Sequence, residues 1–447
     1  MHRLFRLLPR LRSTRVRHSN TWLAVLLACA LSACTGDAAP SGDGSSAAEG
    51  ELRVGTYRAT LALPGGELPF GLEIAREGGQ YVAYLVNGSE RVRVPEVTVA
   101  DGRIEMIMPG LRNTLSARIT RTGLEGEVVL VKLNEKNQHI PFAAEYGATH
   151  RFIAQPEGES ADLSGRWSVT FTEESGKQYQ AVGEVTQRGH ELTGTFLTPT
   201  GDHRFLAGDV EGDEFALSTF DGARAFLYRG RINRRGEMEG TYWSGLAWQE
   251  RFVGRRDDSA TLAQTETTAL RDGADSLDFT FPDLDGNPVS LSDPRFAGKV
   301  IVITLAGSWC PNCHDEAAFL APYYLRNRDR GLEVISLMFE HFGDFDQAVA
   351  ATRRFRERYD IRYTTLIAGV SDKEQAAQKL PQLNGIYAFP TTLFLDRQGR
   401  VRKIHTGFAG PATGEHYQRL IEEFDSTIEQ LLAETGESVA EHRPDGA

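Results

Sequence analysis

Two cysteines stand two residues apart in Trp309-Cys310-Pro311-Asn312-Cys313, after an apolar, β-branched run at 300–305. Thiols at this spacing can close a disulfide with each other when the first caps a helix. A buried strand followed by Pro311, whose missing N–H costs nothing in a first helical turn, puts Cys310 at a helix amino terminus. Free N–H groups and the helix dipole favour a thiolate there. The expectation is an exposed, attacking Cys310 and a resolving Cys313 shielded one turn further in. With His314 the motif also spells C-x-x-C-H, the pattern for covalent haem attachment. That pattern usually occurs in small helical domains, whereas this motif ends a strand. Zinc needs about four ligands, and neither a second C-x-x-C nor a paired histidine spacing is present. A Pro-x-x-x-Thr-x-x-Cys peroxidase site is also missing. No cofactor and no metal are expected.

The elements around the motif must hold it. After the strand at 300–305 the pattern predicts a helix near 312–327, a strand at 332–338 and a helix at 345–359. A hairpin at 391–396 and 401–405 turns on Arg397-Gln398-Gly399. A last helix at 413–434 is marked by the spacing of Tyr417, Leu420, Ile421, Phe424, Ile428, Leu431 and Leu432. Strands alternating with helices specify an α/β layer domain over 277–435.

The upstream sequence differs in texture. Residues 51–155 and 160–256 each carry short strand patterns punctuated by glycine turns, which predicts two antiparallel β-rich domains, sandwich or barrel. Asn87-Gly88 signals a hairpin, and Pro95 between Val94 and Val97 signals an edge or a break. Gly55-Thr56-Tyr57 answers to Gly165-Arg166-Trp167, and Gly126 to Gly240, so the second block reads as a repeat of the first. Neither block shows a catalytic cluster, and the expectation is a spacer or partner-binding module. Residues 257–276 read as a linker and 436–447 as a disordered tail.

Composition bounds the rest. The 447 residues are 40% hydrophobic and 25% charged, ordinary for a globular chain. A net charge of −12 argues against a nucleic-acid partner, and four cysteines exclude a disulfide-stapled scaffold. Residues 1–20 carry Arg3, Arg6, Arg10, Arg12, Arg15 and Arg17 with no acid. The apolar stretch at 21–33 is short of the ~20 residues needed to span a bilayer. This predicts a signal peptide over 1–33, with Cys29 discarded in it. Leu31-Ser32-Ala33-Cys34 resembles the lipobox of bacterial lipoproteins, which implies a lipidated Cys34. Thr35 rather than Asp after it favours the outer membrane. Residues 34–50 are rich in Gly, Ser and Ala and predict a flexible tether with a reach of roughly 20 Å.

Strand, Trp309-Cys310-Pro311-Asn312-Cys313, helix, and Phe389-Pro390-Thr391-Thr392 ahead of a further strand resemble thioredoxin. More narrowly, the domain is similar to the TlpA/ResA-like thiol–disulfide reductases, the redoxin branch of that superfamily. Residues 281–292 resemble their amino-terminal hairpin, and Gly298-Lys299 their lead into the central strand. The resemblance covers 277–435 alone. It implies a thioredoxin-like fold, Cys310 as nucleophile and Cys313 as resolving thiol. It also implies Glu316 beside the thiols as the carboxyl that moves the Cys313 proton. Pro390 matches the family's cis-proline, leaving Phe389 to pair with an extended substrate, and Trp309 shapes the surface beside the disulfide. Ala306-Gly307 departs from the usual pattern, which leaves substrate preference open. Asp315 is expected in solvent, His314 partly exposed, Glu340 facing a loop, and His405 and His416 at the surface or in packing. The implied activity is reduction of disulfide-containing envelope proteins, apocytochrome c among the candidates, with electrons from a membrane thiol donor. The other reading is a scaffold whose β modules bind a partner and whose redox domain is accessory.

Overall fold

The computed structural model describes residues 51–262 and 267–434. The expected leader, the lipidation residue Cys34, the tether, part of the linker and the tail lie outside the described residues. Among the described residues no helix is long and apolar enough to cross a membrane.

The first block is a nine-stranded antiparallel sheet running from Gly55–Leu63 to Gln138–Tyr146. Alternation sets its inner face: Tyr57, Ala59, Leu61 and Leu63 are buried along the first strand. That strand pairs with its hairpin partner Gly66–Glu77 and also with the last strand, where Tyr57 faces Tyr146. The sheet's two edges are Glu90–Val94 and Glu96–Ala100. Pro95 alone separates them, so the expected break is the seam of a barrel-like sheet.

The second block repeats the plan. Gly165–Glu173 pairs with Gln178–Arg188 and with the last strand, Trp248–Arg256. Gln178–Arg188 also pairs with Glu191–Thr198, which closes the ring into a barrel. Local details agree between the blocks. Tyr57 donates its hydroxyl to Arg53 O at 2.6 Å, and Trp167 donates Nε1 to Leu163 O at 3.0 Å. A Cβ on Gly126 would stand 2.0 Å from Ser116 O, and one on Gly240 2.3 Å from Arg229 O. Each of these glycines is where a neighbouring strand passes too close for a side chain.

The two barrels share apolar packing. Phe220, Ala223, Ala225 and Leu227 of the second belong to the core of the first. Asn87, the expected hairpin residue, is fully buried and stitches the barrels together: its Nδ2 donates to Phe220 O at 2.9 Å and its Oδ1 accepts from Phe220 N at 3.1 Å.

The last block is a five-stranded sheet in the order Thr364–Val370, Leu332–Glu340, Val300–Ala306, Thr391–Leu395, Val401–Thr406. The first three strands run parallel, Thr391–Leu395 runs antiparallel to them, and Val401–Thr406 runs antiparallel to Thr391–Leu395. Every residue of Val300–Ala306 and of Leu332–Glu340 is buried, as covered parallel strands require. Helices Pro311–Asn327, Phe345–Tyr359 and Glu415–Ala433 cover the sheet. Sequence reading missed the strand Thr364–Val370 and the short helix Lys373–Lys379, which Asp372 caps by accepting from Gln375 N.

The polar stretch read as a linker is bonded to this domain from its described residue 267 onward. Arg271 N donates to Gln382 O at 2.8 Å, Val401 N to Asp275 O at 2.8 Å, and Thr268 N to Thr406 Oγ1 at 3.0 Å.

Candidate active site

The central strand Val300–Ala306 delivers the chain through Gly307 to Trp309 and Cys310. Gly307 has no room for a side chain: a Cβ would stand 2.2 Å from Trp309 Nε1. The indole donates to Phe339 O at 2.8 Å, stacks on His341 at 4.5 Å between ring centroids, and meets Phe389 edge-on at 5.7 Å. Cys310 then caps the helix Pro311–Asn327, its Sγ accepting from Cys313 N at 3.2 Å, with Pro311 in the first turn. Cys310 and Cys313 are joined as a disulfide, their Cα atoms 5.2 Å apart. The Phe389–Pro390 peptide is cis, and Phe389 O lies 3.2 Å from Cys310 Sγ.

Glu316 points into the domain interior and accepts hydrogen bonds from the hydroxyls of Thr304 and Thr392. Burial pushes its pKa up to about 7, against the pull of the two hydroxyls. Thr304 is on the central strand and Thr392 is two residues after Pro390, so this carboxyl ties the disulfide helix to both walls of the site.

Four expectations are corrected. Cys310, expected exposed, is 2% exposed, and Asn312 between the cysteines is 1% exposed. Cys310 packs in the redox domain's own core, and the docked barrels cover Asn312 beside it. Asp202 Oδ1 accepts from Asn312 Nδ2 at 2.8 Å, and the Arg224 guanidinium donates to Asn312 Oδ1. Asp315, expected in solvent, is largely covered and pairs with Arg204, its side chain 12% exposed. Burial raises its pKa to about 7, opposed by the guanidinium. His314, expected partly exposed, is buried: Nε2 is 2.6 Å from Ser308 O, Nδ1 is 3.0 Å from Tyr359 OH, and the ring meets Phe355 edge-on. Burial and then the nearby Arg358 push its pKa well below the usual histidine range. Glu340, expected to face a loop, is fully buried and accepts from Ser308 N at 3.0 Å, Ser308 Oγ at 2.7 Å and Thr352 Oγ1 at 3.1 Å. Those donors are what let a carboxyl sit there, and burial raises its pKa. It thereby fixes the loop that presents Trp309 and Cys310.

Of the remaining histidines, His405 packs on Phe424, and His416 Nε2 lies 3.4 Å from Glu184 of the second barrel. With the two sulfurs bonded to each other and His314 Nε2 against Ser308 O, the C-x-x-C-H pattern is here part of a disulfide helix. Among the described residues no group of His, Cys, Asp or Glu could hold a metal ion.

The arrangement can pass two electrons between a dithiol and a disulfide. Known proteins agree for this domain. Residues 271–418 match the Redoxin family model. The thiol-disulfide oxidoreductase ResA of Bacillus thuringiensis subsp. konkukian is 26% identical over 137 residues, 31% of this chain and 70% of that protein. ResA of Geobacillus thermodenitrificans is 27% identical over 143 residues, 32% of this chain and 74% of the relative. Among solved structures, a putative thiol:disulfide interchange protein DsbE from Chlorobium tepidum is 21% identical, covering 37% of this chain and all of that one, with a TM-score of 0.28. The family match covers 271–418 and leaves the two β blocks outside it.

Proposed function

We propose, for a chain whose residues 271–418 form a redoxin domain of the thiol–disulfide oxidoreductase type, that the whole protein is a lipid-anchored reductase of the bacterial envelope acting on exported proteins with disulfides. The observation that carries this is the Cys310–Cys313 disulfide at a helix amino terminus beside Phe389 O.

In the reduced protein the Cys310 thiolate attacks one sulfur of a substrate disulfide. The substrate's other sulfur leaves as a thiol after taking a proton, and a mixed disulfide remains. Cys313, as thiolate, then attacks Cys310 Sγ. The second substrate thiol leaves, and the protein disulfide re-forms. Two electrons pass from the protein to the substrate, and a membrane thiol donor returns them. Glu316 takes up the Cys313 proton, a role suited to a carboxyl whose pKa lies near 7. Phe389 offers backbone to an extended substrate segment. Anchoring is by Cys34, supported by the basic 1–20 segment, the apolar 21–33 segment and the small residues before the cysteine. The anchor faces the periplasm.

The deciding experiment is equilibration of the full chain with defined thiol–disulfide buffers, followed by mass analysis of Cys310 and Cys313. A potential near about −270 mV supports the reductase, and one near about −120 mV overturns it in favour of an oxidase. Metabolic fatty-acid labelling of Cys34→Ser against wild type tests the anchor; equal labelling would remove it.

A further inference from the structure

The residues flanking the redox pair are covered by the protein's own amino-terminal half. The two-residue strand Gly201–Asp202 hangs from the second barrel strand Glu191–Thr198 and lies across the disulfide helix. Asp202 Oδ1 accepts from Asn312 Nδ2 and from Gly410 N, both at 2.8 Å. Arg224 holds Asn312 from the other side and donates to Asp202 O at 2.7 Å. Gly201 has a φ of +147°, and a Cβ there would stand 2.7 Å from the Asn312 side chain.

Arg204, at a φ of +62°, is buried among three carboxylates from three parts of the chain. It pairs with Glu90 of the first barrel at 2.6 Å, with Asp221 of the second at 3.2 Å, and with Asp315 two residues after Cys313. The first barrel adds a further contact: Arg358 donates to Pro109 O at 2.6 Å, and Gly110 lies so near His314 that a Cβ would come within 3.0 Å of it. Ser308 and Trp309 line a narrow crevice with Leu111, Lys132 and Ala223. The segment from Ser308 to Asp315 is therefore flanked by both barrels.

The bonding over the site is polar, whereas the cores on its two sides are separate. The first barrel's apolar cluster takes in four residues of the second, the second keeps a core of its own, and the redox domain's main cluster contains no barrel residue. A small cluster of Val182, Leu197 and Ala260 touches the redox domain through Ala409. Interfaces made of hydrogen bonds and ion pairs between separate cores are those that open and close.

We propose that the paired barrels form a cap that controls access to Cys310, with Asp202, Arg204 and Arg224 as the residues that decide which substrates reach it. Docked, the cap slows small reagents and excludes protein disulfides; a protein substrate is reduced only by the undocked form. The inference rests on the oxidoreductase reading of the same site.

The test uses the full chain. The protein is reduced with dithiothreitol, and the rate of iodoacetamide alkylation at Cys310 is read by mass spectrometry. Insulin reduction driven by dithiothreitol is measured in parallel. Two variants loosen the cap without touching the sulfurs: Asp202→Ala with Arg224→Ala, and Glu96→Lys. The second reverses a half-exposed partner of Arg354 at 2.8 Å and leaves both cores intact. The expected result is alkylation at least tenfold faster in the double variant and about threefold faster in Glu96→Lys, with insulin reduction rising in step. Equal alkylation rates in wild type and both variants overturn the cap. Faster alkylation with no insulin reduction by any form upholds the cap and counts against the reductase reading instead.

Discussion

Asn312 Nδ2 donates to Asp202 Oδ1 over 2.8 Å, so a residue lying between the two redox cysteines is bonded to one 110 positions upstream. The same side chain accepts from Arg224 and donates to Phe408 O at 3.0 Å. Asn312→Ala leaves buried polar partners unpaired and should cost about 1–3 kcal/mol. Urea denaturation of the oxidised chain measures it; an unchanged midpoint would mean that these bonds do not form in solution.

The two thiols should divide their work. Cys313→Ser leaves the attacking thiol and removes the resolving one, so it should accumulate mixed disulfides with protein substrates. Cys310→Ser should accumulate none. Glu316→Gln should slow resolution more than first attack. Non-reducing electrophoresis of envelope extracts reads the first two expectations and stopped-flow kinetics the third. Trapping by Cys310→Ser alone would reverse the assignment.

Glu316 should also make stability depend on pH. Its folded pKa of about 7 lies above the ordinary 4.5, so the folded protein holds a proton that the unfolded chain has released. The stability this gives is complete below about pH 4.5 and is lost as pH rises through about 7, by roughly 3 kcal/mol. Wild type should therefore lose about that much more than Glu316→Gln between pH 4.5 and pH 8 in denaturant titrations. Parallel curves for the two proteins would contradict it.

Glu340 is the acceptor for three donors beneath the loop carrying Trp309. Glu340→Ala should cost about 2–5 kcal/mol, since an N–H and two hydroxyls lose their partner, and Glu340→Gln less. Calorimetry checks the order of the two variants.

If the two barrels are repeats, equivalent glycines should fail alike. Gly126→Ala and Gly240→Ala each drive a methyl into the neighbouring strand, with an expected cost of about 1–3 kcal/mol each. A large loss at one position and none at the other, in thermal unfolding, would break the equivalence.

What the sequence revealed and what it hid follow from the range of the interactions. The disulfide helix was legible because strand, proline and paired thiols are neighbours in the chain. Both β blocks were legible from turn spacing. The covering of Asn312 and Asp315 was not, because Asp202, Arg204 and Arg224 reach them across the fold and leave no period in the sequence. Glu340 ends a largely apolar strand, a position that a carboxyl normally turns toward water, and Ser308 and Thr352 reverse that choice. Thr364–Val370 escaped because it opens on two threonines and Gly369 interrupts its apolar run.

Each barrel joins its first strand to its last: Tyr57 faces Tyr146, and Trp167 faces Arg256. On the ribosome neither pairing can form until the block's final strand has emerged, and the last block carries a pairing of the same reach, Ile301 of its central strand facing Leu395. Non-local closure is slow. Asn312, between the two thiols, thus meets its partners Asp202 and Arg224 only where the second barrel and the last block have each completed a long-range pairing.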